Sequence, residues 1–166
     1  MKVSEITHYK LFVDLDGVMC DLNSFVHELT GSELSDDSKL DKHIWDTVNQ
    51  YQEEGHPTFS ILNKMPDADV LWDYVREYRP AILTATGKLY DYGTKEKTEW
   101  VHKNLNGYSE IITVPTSREK ARYAKPNHIL IDDRHKSIDP WREAGGIGIL
   151  HKDAESTIQK LQKLGI

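Results

Sequence analysis

Two carboxylates one residue apart, Asp14 and Asp16, close the apolar run KLFV and are followed by Gly17 and then by Asp21. A second pair, Asp132 and Asp133, closes a later apolar run, ILI. Like charges packed this closely repel, so the acids need a compensating partner. A hard cation is the usual one. Mg2+ takes oxygen ligands, keeps some of its waters, and is commonly held by one or two carboxylates together with substrate phosphate oxygens. Asp14, Asp16, Asp132 and Asp133 are therefore the candidate metal set, with Mg2+ as the cofactor and a phosphate completing its shell. A calcium loop is the other chemistry a DxDG run suggests. That loop needs a ligand at the next odd position and a later Glu, and Val18 occupies the position.

The two pairs meet only if their strands are neighbours, so the elements that carry them decide the matter. Residues 9–14 read as a short buried strand, and a helix over about 21–30 is closed by Gly31. The polar stretch 31–43 reads as a loop or helix start, and IWDTVNQYQEE as a helix ended by Gly55 and Pro57. VLWDYVREY has apolar residues at helical spacing, with Asp67 or Asp69 as its N-cap. Strands then alternate with helices: strand 81–86, helix 94–105, strand 110–115, short helix 117–124, strand 128–133, strand 146–150 and an amphipathic helix over 154–165. The expected fold is α/β, a Rossmann-like parallel sheet with helices on both faces. The segment 22–66 breaks the alternation, and a small helical cap inserted after the first strand is expected there. Residues 1–21 and 67–166 then form the core. In open parallel sheets ligands bind just beyond the carboxyl ends of the strands, where Asp14, Thr84 and Asp132-Asp133 would collect.

These motifs, in this order, resemble the haloacid dehalogenase superfamily. Asp14-Leu15-Asp16-Gly17-Val18 is similar to its first motif, Ile82-Leu83-Thr84 to its second, and Ile129-Leu130-Ile131-Asp132-Asp133 to its fourth; a lysine upstream of the final acids is its third. Within the superfamily the likeness is greatest to the 5′(3′)-deoxyribonucleotidases, through DLDGVMCD, LIDDR and the placing of Lys88 four residues after Thr84. The cap sequence is much less alike. The resemblance implies Asp14 as a nucleophile forming an aspartyl-phosphate and Asp16 as general acid and then general base. It implies that Thr84 donates its hydroxyl to a phosphate oxygen and that Lys120 balances charge between Asp14 and the phosphate. Lys125 is the alternative to Lys120, which is preferred because SREK sets it at a helix start. Lys88 is a substrate-contact candidate and equally a solvated loop lysine. Asp132 and Asp133 hold the metal, one of them directly; Asp14 adds its side chain and Asp16 its backbone carbonyl. Asp21 reads as a helix cap and Cys20 as packing. Phe25, Trp45, Tyr51 and Phe59 read as core first and as base-stacking residues second.

Charge narrows the function further. The chain of 166 residues carries a net charge of -6, which argues against coating nucleic acid. The region 84–136 is nevertheless basic, with ten Lys or Arg against seven Asp or Glu, so an anionic group could be held locally. No apolar run reaches the roughly 20 residues of a membrane span. The start MKVSEITHYK has no signal-peptide core, and the single cysteine suits a reducing compartment. The expectation is a cytoplasmic, Mg2+-dependent phosphomonoesterase acting on nucleoside or deoxyribonucleoside 5′- or 3′-monophosphates. Its partner is a small phosphate monoester, with neither membrane nor long nucleic acid, and a homodimer stays open. A phosphatase for a sugar phosphate or a nucleic-acid end is the alternative. A receiver-like phosphoacceptor is disfavoured by motif order, because its acceptor Asp lies on a later strand than its acid pair.

Overall fold

The structure, a computed structural model, describes residues 8–37 and 39–166. The reading of the first seven residues therefore lies outside the described residues, as does Ser38. Five strands, β1 (Lys10–Val13), β2 (Ala81–Ala85), β3 (Ile111–Val114), β4 (His128–Asp132) and β5 (Ile147–Leu150), form one sheet in the order β3-β2-β1-β4-β5. Every pairing is parallel. A parallel sheet must be covered on both faces, and the strands accordingly read as continuous apolar runs rather than alternating ones.

Alternate residues of each strand feed two separate cores. On one face Leu11, Val13, Ile82, Ile129, Ile131 and Ile149 pack with helices α1 (Leu22–Thr30), α2 (Lys42–Glu53), α3 (Ala68–Val75), α4 (Tyr90–Asn104) and α6 (Ala154–Lys163). On the other, Phe12, Leu83, Val114 and Leu130 pack against Ile138 and Trp141 of α5 (His135–Glu143). The register sets Val13 beside Ile82 and Ile131, so β1 ends between the ends of β2 and β4. That is what gathers the polar residues. No helix of the described residues is long and apolar enough to cross a membrane.

Several local expectations are met and three are corrected. Asp21 caps α1, accepting from the backbone N–H and the hydroxyl of Ser24, and Gly31 ends the helix in the left-handed conformation at φ 71°. Asp67 does sit at the start of α3 but makes no cap bond there; its Oδ2 instead accepts from the backbone N–H of Ala154, at the start of α6. Residues 117–123 are 3-10 rather than α-helical. Helix α5 has no counterpart in the sequence reading, because Pro140 within a nine-residue run looks like a breaker. Burial of Ile138 and Trp141 holds it on the sheet.

The segment 22–66 leaves and returns at one place. Backbone bonds from Asp21 N–H to the Asn63 carbonyl and from Met65 N–H to the Met19 carbonyl, each 2.8 Å, tie its two ends together.

Candidate active site

The turn after β1 is built on one carbonyl. The N–H groups of Val18, Met19 and Cys20 all donate to the carbonyl of Leu15, at 3.0, 2.8 and 2.9 Å. Gly17 takes φ 80° in this turn. A Cβ there would lie 2.0 Å from Oδ2 of Asp133. Glycine is thus required twice, by its conformation and by the carboxylate pressed against it.

Asp14 and Asp132 are buried, and Lys120 lies between them. Its ammonium donates to Asp14 Oδ1 at 2.9 Å and to Asp132 Oδ2 at 2.6 Å. Burial alone would lower the lysine pKa, but the carboxylates of Asp132 and Asp14 outweigh it and hold the group above its ordinary value. Lys125 is exposed. Of the two lysines considered from sequence, it is Lys120 that reaches the acids. The other oxygen of Asp132 accepts from the backbone N–H of Arg134 at 3.0 Å.

Asp14, Asp132 and Asp133 each bring a carboxylate oxygen within 4.8 Å of the others. Burial, reinforced by the charge of Asp132, pushes Asp14 up to about 7. Burial, reinforced by Asp14 and Asp132, pushes Asp133 up to about 8. One lysine does not neutralise three carboxylates, and Oδ1 of Asp133 is buried without a hydrogen-bond partner. A buried unpaired acceptor surrounded by like charge is costly. An all-oxygen donor set with excess negative charge is what a hard divalent cation takes, so these residues fit Mg2+. Both oxygens of Asp132 accept from protein donors, whereas Asp133 Oδ1 accepts from none among the described residues.

Asp16 stands apart from the trio with its carboxylate. Its Oδ2 accepts from Lys97 at 2.5 Å, and its Oδ1 is buried without a partner. The same ammonium donates to Thr84 Oγ1 at 3.0 Å. Since a hydroxyl can accept one bond and donate another, Thr84 still has a proton to donate. Lys97 is a site residue that the sequence reading missed. Its signal is faint, a lysine inside the polar run TKEKTEW, where helical spacing puts it on the same face as the buried Trp100 and Val101.

Two cavities open beside these strand ends. The larger, about 700 Å³, is lined by Thr86, Gly87 and Lys88 beyond β2, by Arg118, by Lys136 on α5, and by Trp45 of α2. The smaller, about 430 Å³, touches Asp16, Gly17 and Asp133 and is edged by Asp21, Asp36 and Arg134. Lys88 is therefore on a cavity wall and exposed. Among the four aromatics, Trp45 faces the larger cavity. Phe59 is buried beneath Lys97, and Phe25 and Tyr51 pack on each other at 6.4 Å. Cys20 is buried, and that burial drives its thiol pKa well up, which removes it as a nucleophile.

No family model matches the sequence, and no curated protein does. Solved structures do. A hydrolase from Streptococcus pneumoniae TIGR4 superposes with a TM-score of 0.56 at 15% identity, covering 95% of this chain and 100% of that one. The L-2-haloacid dehalogenase from Xanthobacter autotrophicus gives 0.57 at 11%, covering 92% and 82%. A haloacid dehalogenase family enzyme from Bacteroides thetaiotaomicron, complexed with magnesium and inorganic phosphate, gives 0.50 at 15%, covering 87% and 94%. The chain has the haloacid dehalogenase-like fold. At these identities the likeness is one of fold, and the chemistry has to be argued from the side chains.

Proposed function

We propose that the protein is a Mg2+-dependent phosphomonoesterase whose substrates are nucleoside or deoxyribonucleoside 5′- or 3′-monophosphates. The observation that carries this reading is the placing of Asp14. It stands at the tip of β1, is ion-paired to Lys120, and lies within 4.8 Å of the oxygens of Asp132 and Asp133. The fold is shared with a haloacid dehalogenase, but displacing halide from carbon needs neither a divalent cation nor a proton donor. A phosphate ester needs both charge neutralisation and protonation of its leaving oxygen, and the site supplies groups for each.

A carboxylate oxygen of Asp14 attacks phosphorus, and the bond from phosphorus to the ester oxygen breaks. The departing oxygen takes a proton from Asp16 and leaves as an alcohol. Asp16, now a carboxylate, takes a proton from water; that water's oxygen attacks phosphorus and frees inorganic phosphate from Asp14. Lys120 and the Thr84 hydroxyl hold the phosphate oxygens. Asp14, Asp132, Asp133 and the Asp16 carbonyl would hold Mg2+, which would supply the positive charge that lets an anionic nucleophile meet an anionic ester. The magnesium and phosphate on the Bacteroides enzyme support this choice.

The nucleotide assignment draws on the larger cavity. Lys88, Arg118 and Lys136 line it together with Asp139 and Glu143, a cationic excess of one, and Trp45 offers an aromatic face to a base. The segment 22–66 then acts as the cap that carries Trp45 and limits water at the reacting atoms. The buried lone thiol suits a reducing cytoplasm. A panel assayed with Mg2+ tests the whole reading: dUMP and dTMP should be preferred over sugar phosphates and 3′-phosphorylated oligonucleotides. Asp14→Asn should cost at least about 1,000-fold in turnover, as loss of a covalent nucleophile does. A variant at the wild-type rate ends the proposal, and preference for a sugar phosphate moves the substrate class.

A further inference from the structure

We infer that Lys97 is a positioning residue that fixes Asp16, with Oδ2 anchored and Oδ1 left as the oxygen that exchanges the proton. The inference rests on the phosphomonoesterase reading and deepens it. Lys97 lies on α4, its side chain is only 2% exposed, and its ammonium meets three partners. It donates to Asp16 Oδ2 at 2.5 Å and to Thr84 Oγ1 at 3.0 Å, and it stands 4.6 Å from the centre of the Phe59 ring. An ammonium has three donors, so two hydrogen bonds and one aromatic face account for all of them. A cation is rarely buried so fully without a specific anion to hold.

The asymmetry of the Asp16 carboxylate is the telling part. One oxygen carries the ion pair, and the other is buried with no hydrogen-bond partner among the described residues. A carboxyl that must give a proton to an ester oxygen and later take one from water needs a fixed plane and one open oxygen. Lys97 supplies the first and leaves the second. Thr84 shares the ammonium, so the phosphate-binding hydroxyl and the acid are held by one group.

Helix α4 is itself pinned, which gives the anchor something rigid to stand on. Glu96, next in the chain, accepts from the backbone N–H groups of Thr58 and Phe59 and from the hydroxyls of Thr58 and Ser60. Trp100 Nε1 donates to the Leu62 carbonyl at 2.7 Å. The helix that orients Asp16 is thus bolted to the returning end of the 22–66 segment.

Leaving-group dependence tests this, because a positioned acid matters most where the departing oxygen is basic. Wild type and Lys97→Met are to be compared on a nucleoside 5′-monophosphate and on p-nitrophenyl phosphate, whose leaving group departs without a proton. The expected loss in kcat/KM, which reports transfer of the phosphate to Asp14 and not the hydrolysis common to both esters, is about 100-fold or more on the nucleotide, within the range that general acid catalysis contributes, and under about 10-fold on the nitrophenyl ester. Lys97→Arg, which keeps a cation, should recover part of the nucleotide rate. Equal losses on both esters overturn the inference and leave the phosphatase reading intact. A wild type inactive on both esters overturns that reading first and the inference with it. Should Lys97→Met fail to fold, the cycle moves to Asp16→Asn, which has no buried charge for Lys97 to offset. Adding Lys97→Met there should lower nitrophenyl turnover by no more than about 10-fold, since only its hold on Thr84 is then lost. A further large loss overturns the inference.

Discussion

The strand-end acids and the 22–66 segment are held by different means. Asp14 and Asp132 lie at the ends of adjacent parallel strands whose register is locked residue by residue, Val13 against Ile131. Their charges are set in place by the sheet and then balanced by Lys120. The segment buries Leu22, Val26, Ile44, Val48, Phe59 and Leu62 in the core and is fastened besides by polar groups at a few points. These are the backbone bonds at Asp21 and Met65, the Glu96 carboxylate under residues 58–60, and Arg134 reaching Ser35 and Asp41. On the proposed reading the reacting acids sit on the sheet, and the aromatic face of Trp45 sits on the segment.

The largest test of that contrast is removal of the cation from the strand ends. Lys120→Met leaves the buried Asp14 and Asp132 facing one another without their ammonium. Breaking a buried ion pair by deleting one partner costs about 3–5 kcal/mol. At about 2–4 °C per kcal/mol for a chain of this size, Tm in a melt should fall by on the order of 10 °C. Turnover should be lost in the same variant. A Tm within a degree or so of wild type contradicts the account of Lys120 as the group that makes the acid cluster tolerable.

Next comes the fastening of the segment. Glu96→Ala removes a buried carboxylate that serves two backbone N–H groups and two hydroxyls. Hydrogen bonds to a charged group are each worth about 1.5–3 kcal/mol. Residues 58–60 can turn toward water, so a net loss of about 2–4 kcal/mol is expected, smaller than that for Lys120→Met. The two variants should also differ kinetically. Loss of Glu96 should raise KM for a nucleotide while kcat on p-nitrophenyl phosphate holds. If both variants behave alike, the two regions are one unit and the contrast dissolves.

What the sequence made legible follows the same division. The strands announced themselves because a doubly covered sheet demands unbroken apolar runs, and the acids because they end those runs. Lys120 was preferred over Lys125 from its place in SREK although both precede β4, and it is the Lys120 ammonium that reaches Asp14 and Asp132. Lys97 was not readable, because a lysine in a charged helix looks solvated until the helix is docked. Helix α5 was hidden by Pro140, whose local cost is outweighed by burying Ile138 and Trp141. The placement of Trp45 on a cavity wall, with Phe59 in the core, depends on how α2 and residues 59–61 return over the sheet. No local pattern carries that.

A smaller effect separates the acids from the rest of the molecule through pH. The ordinary carboxyl pKa here is 3.8, and in the folded protein Asp14 stands at about 7 and Asp133 at about 8. Between these limits the folded state binds more protons than the unfolded one, so stability should fall as pH rises from about 4 to about 8. The raised Lys120 acts in the same direction but only at higher pH, since it stays charged in both states throughout this window. Metal-free protein should therefore melt several degrees higher at pH 5 than at pH 8. Mg2+ competes with those protons, so it should raise Tm markedly at pH 8 and little at pH 5. A pH-independent response to Mg2+ would place the cation somewhere other than among these three acids.

The smallest expected effect is at Arg134, and it is the most discriminating about the segment. Its backbone N–H serves Asp132 and survives substitution, while its side chain alone reaches the Ser35 carbonyl and lies 3.8 Å from Asp41 Oδ2. Asp41 keeps its bonds from the N–H and hydroxyl of Ser35 when the guanidinium is gone. Arg134→Gln should thus cost no more than about 1–2 kcal/mol and leave kcat on p-nitrophenyl phosphate unchanged. If the segment closes over a nucleotide, KM for that substrate should rise a few-fold, because this contact joins the residue next to the metal acids to the loop before α2. If KM moves in Glu96→Ala but not in Arg134→Gln, the segment is governed from its returning end, where α4 holds both it and Asp16.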